Sequence, residues 1–265
     1  FCAFPIINSN FGKATMKHLI FAAMIIAVTA ITGQPRAATV GARADAPVVV
    51  ELFTSQGCYS CPPAEAFLRD LADQPGIVAL EFHVDYWDSL NYLWHGRWKD
   101  PFSSPAHTDR QRRYNNAIRG QSGVYTPQMV IDGKLQAIGS RRDEVTRAIR
   151  QVRSSRKAKV SVQRSDRGLK VTVNGTARVE ADVLLVRFIN EATTEVANGE
   201  NHGKTLVSRH IVRDLQPLGK WPGGNKSFAV PPASDGVPLD CAVIVQTPNF
   251  GPILGAALCP KQPSS

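Results

Sequence analysis

Residues 46–84 read APVVVELFTSQGCYSCPPAEAFLRDLADQPGIVALEFHV, and this stretch decides the fold. Ala46 to Phe53 is short, apolar and rich in β-branched residues, the composition of a strand buried on both faces. Pro62 to Asp73 carries Ala64, Phe67, Leu68 and Leu71 at helical spacing, and prolines are tolerated in a first helical turn. Ile77 to Val84 is a second apolar run of strand length. A strand, a helix and a strand in close succession make a β-α-β unit with a parallel pair.

The junction of the first strand and the helix is Gly57-Cys58-Tyr59-Ser60-Cys61-Pro62. A cysteine beside a helix N-terminus meets unpaired backbone N–H groups and the positive end of the helix dipole. Both favour the thiolate, the reactive form of the side chain. Two intervening residues bring the second sulfur within disulfide reach of the first. Cys58 is expected as an exposed, attacking thiol, and Cys61, a turn deeper, as the group that resolves a mixed disulfide. Two competing readings attach to the pair. It serves as half of a zinc site only with two more ligands, and His83, His95 and His107 lack a second Cys or His at ligand spacing. Otherwise it is an inert staple. No metal and no other cofactor is assigned.

Outward from this unit, residues 85–123 read as a polar insertion with Pro101, Pro105 and three of the four tryptophans, Trp87, Trp94 and Trp98. Thr108 to Ile118 is a helix candidate within it. Trp87, Tyr92, Trp94 and Trp98 are candidates to line a groove beside Cys58, or else to pin the insertion to the core. Val124-Tyr125-Thr126-Pro127-Gln128 precedes a third strand, and proline at a strand's first residue costs no ladder bond. The Thr126–Pro127 bond is a candidate cis bond. Asp132-Gly133 is a strong hairpin signal between Gln128–Asp132 and Lys134–Ile138. Arg141 to Val152 then has Val145, Ala148, Ile149 and Val152 on one helical face. The basic stretch from Arg141 to Lys159 reads as a solvated face.

Beyond residue 157 the pattern changes to alternation. Lys159–Gln163, Leu169–Val173, Val179–Ile189, Lys204–Val212, Ser227–Val230, Asp240–Gln246 and Ile253–Cys259 are strand candidates separated by turn residues. They indicate an antiparallel sheet or sandwich. The expected division is 1–44 as leader and linker, 45–156 as an α/β domain and 157–265 as a β-rich domain. Folding the last two strands about Phe250 places Cys241 opposite Cys259, each nine residues from the centre. Directly opposed antiparallel residues come within bridging range, so a structural disulfide is expected there. The other reading is two small buried thiols.

Apolar residues make up 43% of the 265 and charged residues 20%, values of a globular chain that exclude wholesale disorder. The net charge of +9 comes with no nucleic-acid-binding motif, so a nucleic-acid partner is not assigned. Met16-Lys17-His18 followed by an uncharged run from Leu19 to Thr32 has the shape of a signal peptide, with residues 1–15 upstream of its start and cleavage near Ala42-Arg43-Ala44. The run is shorter than the ~20 residues that span a bilayer, and the competing reading is a retained, uncleaved membrane anchor. The mature protein is therefore expected in the periplasm or secreted, with no membrane association after cleavage and in an oxidising compartment.

The order of strand, CxxC, helix, strand, Thr-Pro, hairpin and helix resembles the thioredoxin-like fold over about residues 47–155. Over most of 47–260, the segments VELFTSQGCYSCPPAE, FHVDYWD, YTPQMVIDG and GPILGAAL resemble a family of exported bacterial proteins known only as a domain of unknown function. The thioredoxin-like resemblance implies Cys58 as nucleophile, Cys61 as resolving thiol, and Thr126-Pro127 as a cis-proline turn whose backbone pairs with an extended substrate. It also implies a buried acid on the preceding strand, for which Glu51 is the candidate although its register is off by one. Tyr59, Ser60, Tyr125 and Trp87 are then candidate substrate-binding residues. Gly57 replaces the tryptophan usual before the first cysteine, and Tyr59-Ser60 replaces Gly-Pro, which leaves the direction of electron flow open. The resulting expectation is an α/β, thioredoxin-like, exported thiol–disulfide oxidoreductase. It would act on a protein or small-molecule thiol or disulfide and depend on an unidentified redox partner. A non-enzymatic binding protein on the same scaffold, or a metal-handling protein using the CxxC, are the competing readings.

Overall fold

The computed structural model describes residues 46–91, 95–153, 158–232 and 239–261. The expected leader, the cleavage site, Tyr92 and Trp94 lie outside the described residues.

The apolar run at 48–54 forms β1 (Val48–Thr54), and 77–83 forms β2 (Ile77–His83), paired parallel in the register Val48↔Ile77 to Thr54↔His83. Between them α1 (Pro62–Ala72) starts on a pair of prolines with Cys61 at the N-cap. Strand alternation then assigns faces. Val48, Val50 and Leu52 share one core with Ile77, Ala79 and the apolar faces of α1 and α3 (Arg142–Val152). Val49, Phe53, Val78, Leu80 and Phe82 pack on the opposite side, against Tyr114 of α2 (Pro105–Arg119). The helix α2 begins three residues before the expected Thr108. Ser104 caps it, its hydroxyl accepting from the Ala106 N–H at 3.2 Å, and Pro105 stands at its first position.

β3 (Gln128–Ile131) runs antiparallel to β1 and turns through Asp132 and Gly133, both at positive φ, into β4 (Leu135–Ile138). On the other edge the sheet continues. β7 (Ala181–Glu195) and β8 (Thr205–Trp221) form a long hairpin, and β8 meets β2 in parallel at Glu81↔Ile211. β10 (Asp240–Gln246) and β11 (Ile253–Leu258) extend it to eight strands in the order β11-β10-β7-β8-β2-β1-β3-β4. Strands from both sides of residue 157 thus share one mixed sheet. β5 (Ala158–Ser165), β6 (Gly168–Gly175) and β9 (Lys226–Val230) form a separate antiparallel sheet. Val171, Val173, Val183, Leu185, Trp221, Val243 and Val245 fill a third core that joins it to the outer half of the large sheet. At Gly255 an added Cβ would collide with the backbone of Ala158, so the close approach of β11 to β5 requires glycine. Cys241 and Cys259 flank the β10–β11 pairing and are bonded, with Cα atoms 5.2 Å apart.

β7 and β8 run further than their apolar alternation. Residues 190–195 and 213–220 are mostly exposed or half-exposed and carry little hydrophobic signal, so the sequence places the strand ends near Ile189 and Val212. The tip of this hairpin reaches the loop that follows β1, where Asn201 bonds the Gln56 and Cys58 carbonyls.

Candidate functional site

The loop from Ser55 to Cys61 joins β1 to α1 and is built by successive tight turns. The Cys58 N–H donates to the Ser55 carbonyl, and the Cys61 N–H to the Cys58 carbonyl, both at 3.1 Å. These turns bring Cys58 and Cys61 together, and the two are disulfide-bonded with Cα atoms 5.4 Å apart. The Ser60 hydroxyl lies 3.4 Å from Cys58 Sγ. Cys61, and not Cys58, holds the N-cap position of α1.

The exposed thiol expected at Cys58 is corrected by the structure, because both cysteines are 0% exposed. Three segments pack on the loop that carries them. Trp87 sits against Gly57, where an added Cβ would come within 3.4 Å of the Trp87 Cβ. Trp98 donates its indole N–H to the Gln56 side-chain oxygen at 3.3 Å. The tip of the β7–β8 hairpin is the third. Asn201 donates from its amide nitrogen to the carbonyls of Gln56 and Cys58, both at 2.9 Å, and Glu200 accepts from the Tyr59 N–H at 2.8 Å. Local sequence patterns could not place a segment some 140 residues away over the motif.

The other singled-out residues fall as follows. The Thr126–Pro127 peptide bond is cis, and the Thr126 hydroxyl accepts from the Trp87 indole N–H at 2.8 Å. Trp87 therefore bridges the CxxC loop and the Thr-Pro turn. Tyr59 is 66% exposed beside the disulfide, with the Lys204 ammonium 4.4 Å above its ring. Ser60 is exposed as well. Tyr125 turns toward β4, where its hydroxyl bonds Gln136, and stacks under Arg119. Glu51 is held away from α1. As an odd-numbered residue of β1 it faces α2, where Arg110 grips it bidentately at 2.9 and 2.8 Å and Tyr114 donates at 3.1 Å. The Arg110 guanidinium is itself stacked over the Tyr114 ring at 4.9 Å and the Phe250 ring at 5.5 Å. Glu51 thus belongs to a buried ion pair on the wrong face to serve Cys61.

A different set of acids lies on the α1 face. Glu65, one helical turn after Cys61, is fully buried and accepts from the Thr54 hydroxyl at 2.7 Å. Burial, reinforced by the nearby charge of Glu81, lifts its carboxyl from 4.5 to about 8. Glu81 and His83, at the end of β2, share this face. His83 contacts Glu81 through Nε2 at 2.9 Å and Asp100 through Nδ1 at 2.7 Å. Burial disfavours its charge, but the two carboxylates outweigh that and hold its pKa well above the ordinary value. Asp100 is correspondingly lowered, since His83 outweighs the cost of its burial. Asp100 also accepts from the Gln56 backbone N–H at 2.8 Å, which ties the acidic cluster to the CxxC loop. The neighbouring His107 contacts the His83 carbonyl through Nδ1 at 2.8 Å and is pushed down to about 4 by burial. The histidines weighed as zinc ligands are engaged in these contacts, and His95 stacks on His202 with ring centroids 4.8 Å apart.

The sequence did carry a signal for this cluster. Glu81 and His83 interrupt an otherwise apolar strand, and a charge at a strand position buried on both faces demands a partner. Glu65 has the form of an ordinary first-turn helix acid, and only the packing of α1 on the sheet reveals it as buried.

Three comparisons bear on this arrangement. The family described as "Protein of unknown function (DUF1223)" matches residues 49–246. A crystal structure of a protein from Agrobacterium tumefaciens is 31% identical, with 82% of this chain and 96% of that one covered and a TM-score of 0.69. HBP35 of Porphyromonas gingivalis is 13% identical over 83% of this chain and 78% of that one, with a TM-score of 0.53, a likeness of fold alone. None of the curated proteins matches the chain.

Proposed function

We propose that this chain, which belongs to the DUF1223 family, is an exported thiol–disulfide oxidoreductase of thioredoxin-like type. The observation that carries the reading is the Cys58–Cys61 disulfide at the head of α1, with the buried, high-pKa Glu65 one turn behind it. Two disulfides in one chain fit an oxidising compartment, in keeping with the signal-like leader.

In the oxidised protein, a substrate thiolate attacks Cys58 Sγ. A sulfur–sulfur bond forms between substrate and Cys58, the Cys58–Cys61 bond breaks, and its electron pair leaves on Cys61 as a thiolate. Glu65, neutral at pH 7, supplies the proton that this thiolate takes up. A second substrate thiolate then attacks the substrate sulfur of the mixed disulfide, releasing the substrate disulfide and a reduced Cys58. In reverse, the Cys58 thiolate attacks a substrate disulfide and expels one substrate thiolate, the ionised form of Glu65 takes the proton from Cys61, and the Cys61 thiolate attacks Cys58 Sγ and releases the second substrate thiolate. A carboxyl at about 8 is close to an ordinary thiol at ~8.5, so the transfer is nearly balanced in either direction. The cis Thr126–Pro127 turn, fixed to Trp87, presents backbone for an extended substrate.

The test is the redox equilibrium of Cys58–Cys61 in glutathione buffers, read by thiol trapping and mass spectrometry. The pair is expected to equilibrate between about −120 and −270 mV, the range from oxidising to reducing dithiols. Cys58→Ser abolishes exchange and Cys61→Ser accumulates mixed disulfides. The full burial of both sulfurs favours one other reading, a binding protein in which the pair is a staple. A pair that never equilibrates selects it.

A further inference from the structure

A disulfide with no accessible surface cannot be attacked, because the incoming sulfur must approach Cys58 Sγ along the bond that breaks. The part of the cover that can leave is the tip of the β7–β8 hairpin, residues 196–204. The tip closes on itself: the Val196 N–H donates to the Lys204 carbonyl at 2.9 Å, the Gly203 N–H to the Val196 carbonyl at 2.8 Å, and the Lys204 N–H to the Asn201 carbonyl at 3.0 Å. It therefore has the internal bonding to move as one piece on its stem.

Its fastenings to the rest of the site are hydrogen bonds, together with the exposed His202 ring stacked on His95 and the Lys204 ammonium over the Tyr59 ring. Asn201 bridges the Gln56 and Cys58 carbonyls, and its own side-chain oxygen accepts from Lys204 Nζ at 2.9 Å. Glu200 accepts from the Tyr59 N–H, and the Gly199 N–H donates to the His95 carbonyl at 3.0 Å. At the stem, Thr194 accepts from the Gln56 side chain at 3.0 Å. Val196 is buried, but no residue between Ala197 and Lys204 contributes to any of the three apolar cores. A segment held by hydrogen bonds and exposed ring contacts whose groups water can solvate, with no residue in the three apolar cores to give up, belongs to the low-cost end of local opening. Gly199 fits the tip closely. Its φ of +80° suits glycine, and an added Cβ would come within 3.0 Å of the Trp98 Cβ.

We propose that this hairpin tip is a lid over the Cys58–Cys61 disulfide, latched by Asn201 and Glu200, and that its opening is the step that admits a thiol. The lid deepens the oxidoreductase reading, for which it sets access to the nucleophilic sulfur. Its structural basis is independent of that reading.

The experiment is the rate at which Cys58–Cys61 is reduced by tris(2-carboxyethyl)phosphine. The Cys241–Cys259 bond, remote from the tip in sequence and in the sheet, serves as the internal reference in the same mass spectra. Asn201→Asp keeps the shape of the latch but sets a carboxylate oxygen against two carbonyl oxygens. Glu200→Ala removes the second latch at an exposed residue, so it leaves the core intact even where Asn201→Asp fails to fold. Release of the latch is expected to speed reduction of Cys58–Cys61 by about tenfold or more in Asn201→Asp, and by less in Glu200→Ala, with the reference bond unchanged. Rates within about twofold of wild type in every variant that folds overturn the lid. Faster reduction in both variants of a pair that still never equilibrates with glutathione keeps the lid and removes the oxidoreductase reading.

Discussion

Glu65 and Glu51 show how much a single residue's role depends on the face it occupies. Both are buried acids within seven residues of a cysteine of the motif, yet Glu51 is neutralised by Arg110 across α2 while Glu65 accepts from a hydroxyl, and its burial and the charges of Glu81 and Asp100 outweigh the favourable charge of His83. Glu65 therefore makes stability depend on pH. Its carboxyl titrates near 4.5 when unfolded and at about 8 in the fold, so across that window the folded state holds a proton the unfolded chain has released. Stability falls as pH rises from about 4.5 to about 8 through this group. His83, also raised, acts in the same direction: its contribution is complete below its unfolded value of 6.5 and is lost as pH rises through its higher folded value. Asp100, lowered, acts oppositely, and its contribution is lost only in acid as pH falls below 3.8. Glu65→Gln, neutral at every pH, is expected to flatten the decline and to stabilise the fold at pH 9 by at least about 1 kcal/mol relative to wild type. Urea unfolding at pH 5 and pH 9 measures it, and equal pH slopes in the two proteins refute it. Glu51→Gln is expected to behave differently, costing about 3–5 kcal/mol at neutral pH because it leaves the buried Arg110 charge without its partner.

At the scale of elements, the turns and caps follow from local chemistry. Pro105 and Ser104 start α2, Gly120 at φ 67° ends it, and Asp132-Gly133 turns β3 into β4. Ser104→Ala is expected to cost about 1 kcal/mol in thermal or urea unfolding, the usual value of a lost N-cap. The elements that form the site obey a different rule. The loop after β1 is held by α1 from below, by Trp87 and Trp98 of the connection that precedes α2, and by the tip of the β7–β8 hairpin. The residues of that tip are mostly exposed and polar, which hides the element from any reading based on apolar alternation. Its contacts are specific hydrogen bonds to backbone carbonyls, whose locations no local pattern reveals.

Across the whole molecule, β8 joins the strands on either side of residue 157 into one sheet through its pairing with β2. Glu81 lies at that pairing, and its second oxygen accepts from the Arg209 N–H at 3.0 Å. The acidic cluster tied to the CxxC loop is thus completed by a strand from the far half of the chain. The Cys241–Cys259 bond fastens the other end of this sheet. Cys241→Ser with Cys259→Ser is expected to lower stability by roughly 3 kcal/mol, the loop-entropy value for a closure of this length, while leaving the redox equilibrium of Cys58–Cys61 unchanged. A shifted equilibrium would show that the far edge of the sheet is coupled to the site.

What depends on neighbours along the chain is legible in the residues alone. The β-α-β unit follows from β-branched runs flanking a helical period. The cysteine pair at its junction follows from spacing, and the Asp-Gly hairpin and the opposition of Cys241 to Cys259 follow from turn chemistry and symmetric distances. Tertiary structure alone decided which buried acid shares a face with α1, because strand alternation turned Glu51 to α2 while the packing of α1 enclosed Glu65. It also decided that Cys58 is buried, since Asn201 and Glu200 lie about 140 positions away and meet the loop only in the folded sheet. The physical reason is the range of the forces. Propensity, capping and turn geometry act within a few residues, whereas burial and the shifts it imposes on charge depend on surfaces that meet only in the folded chain.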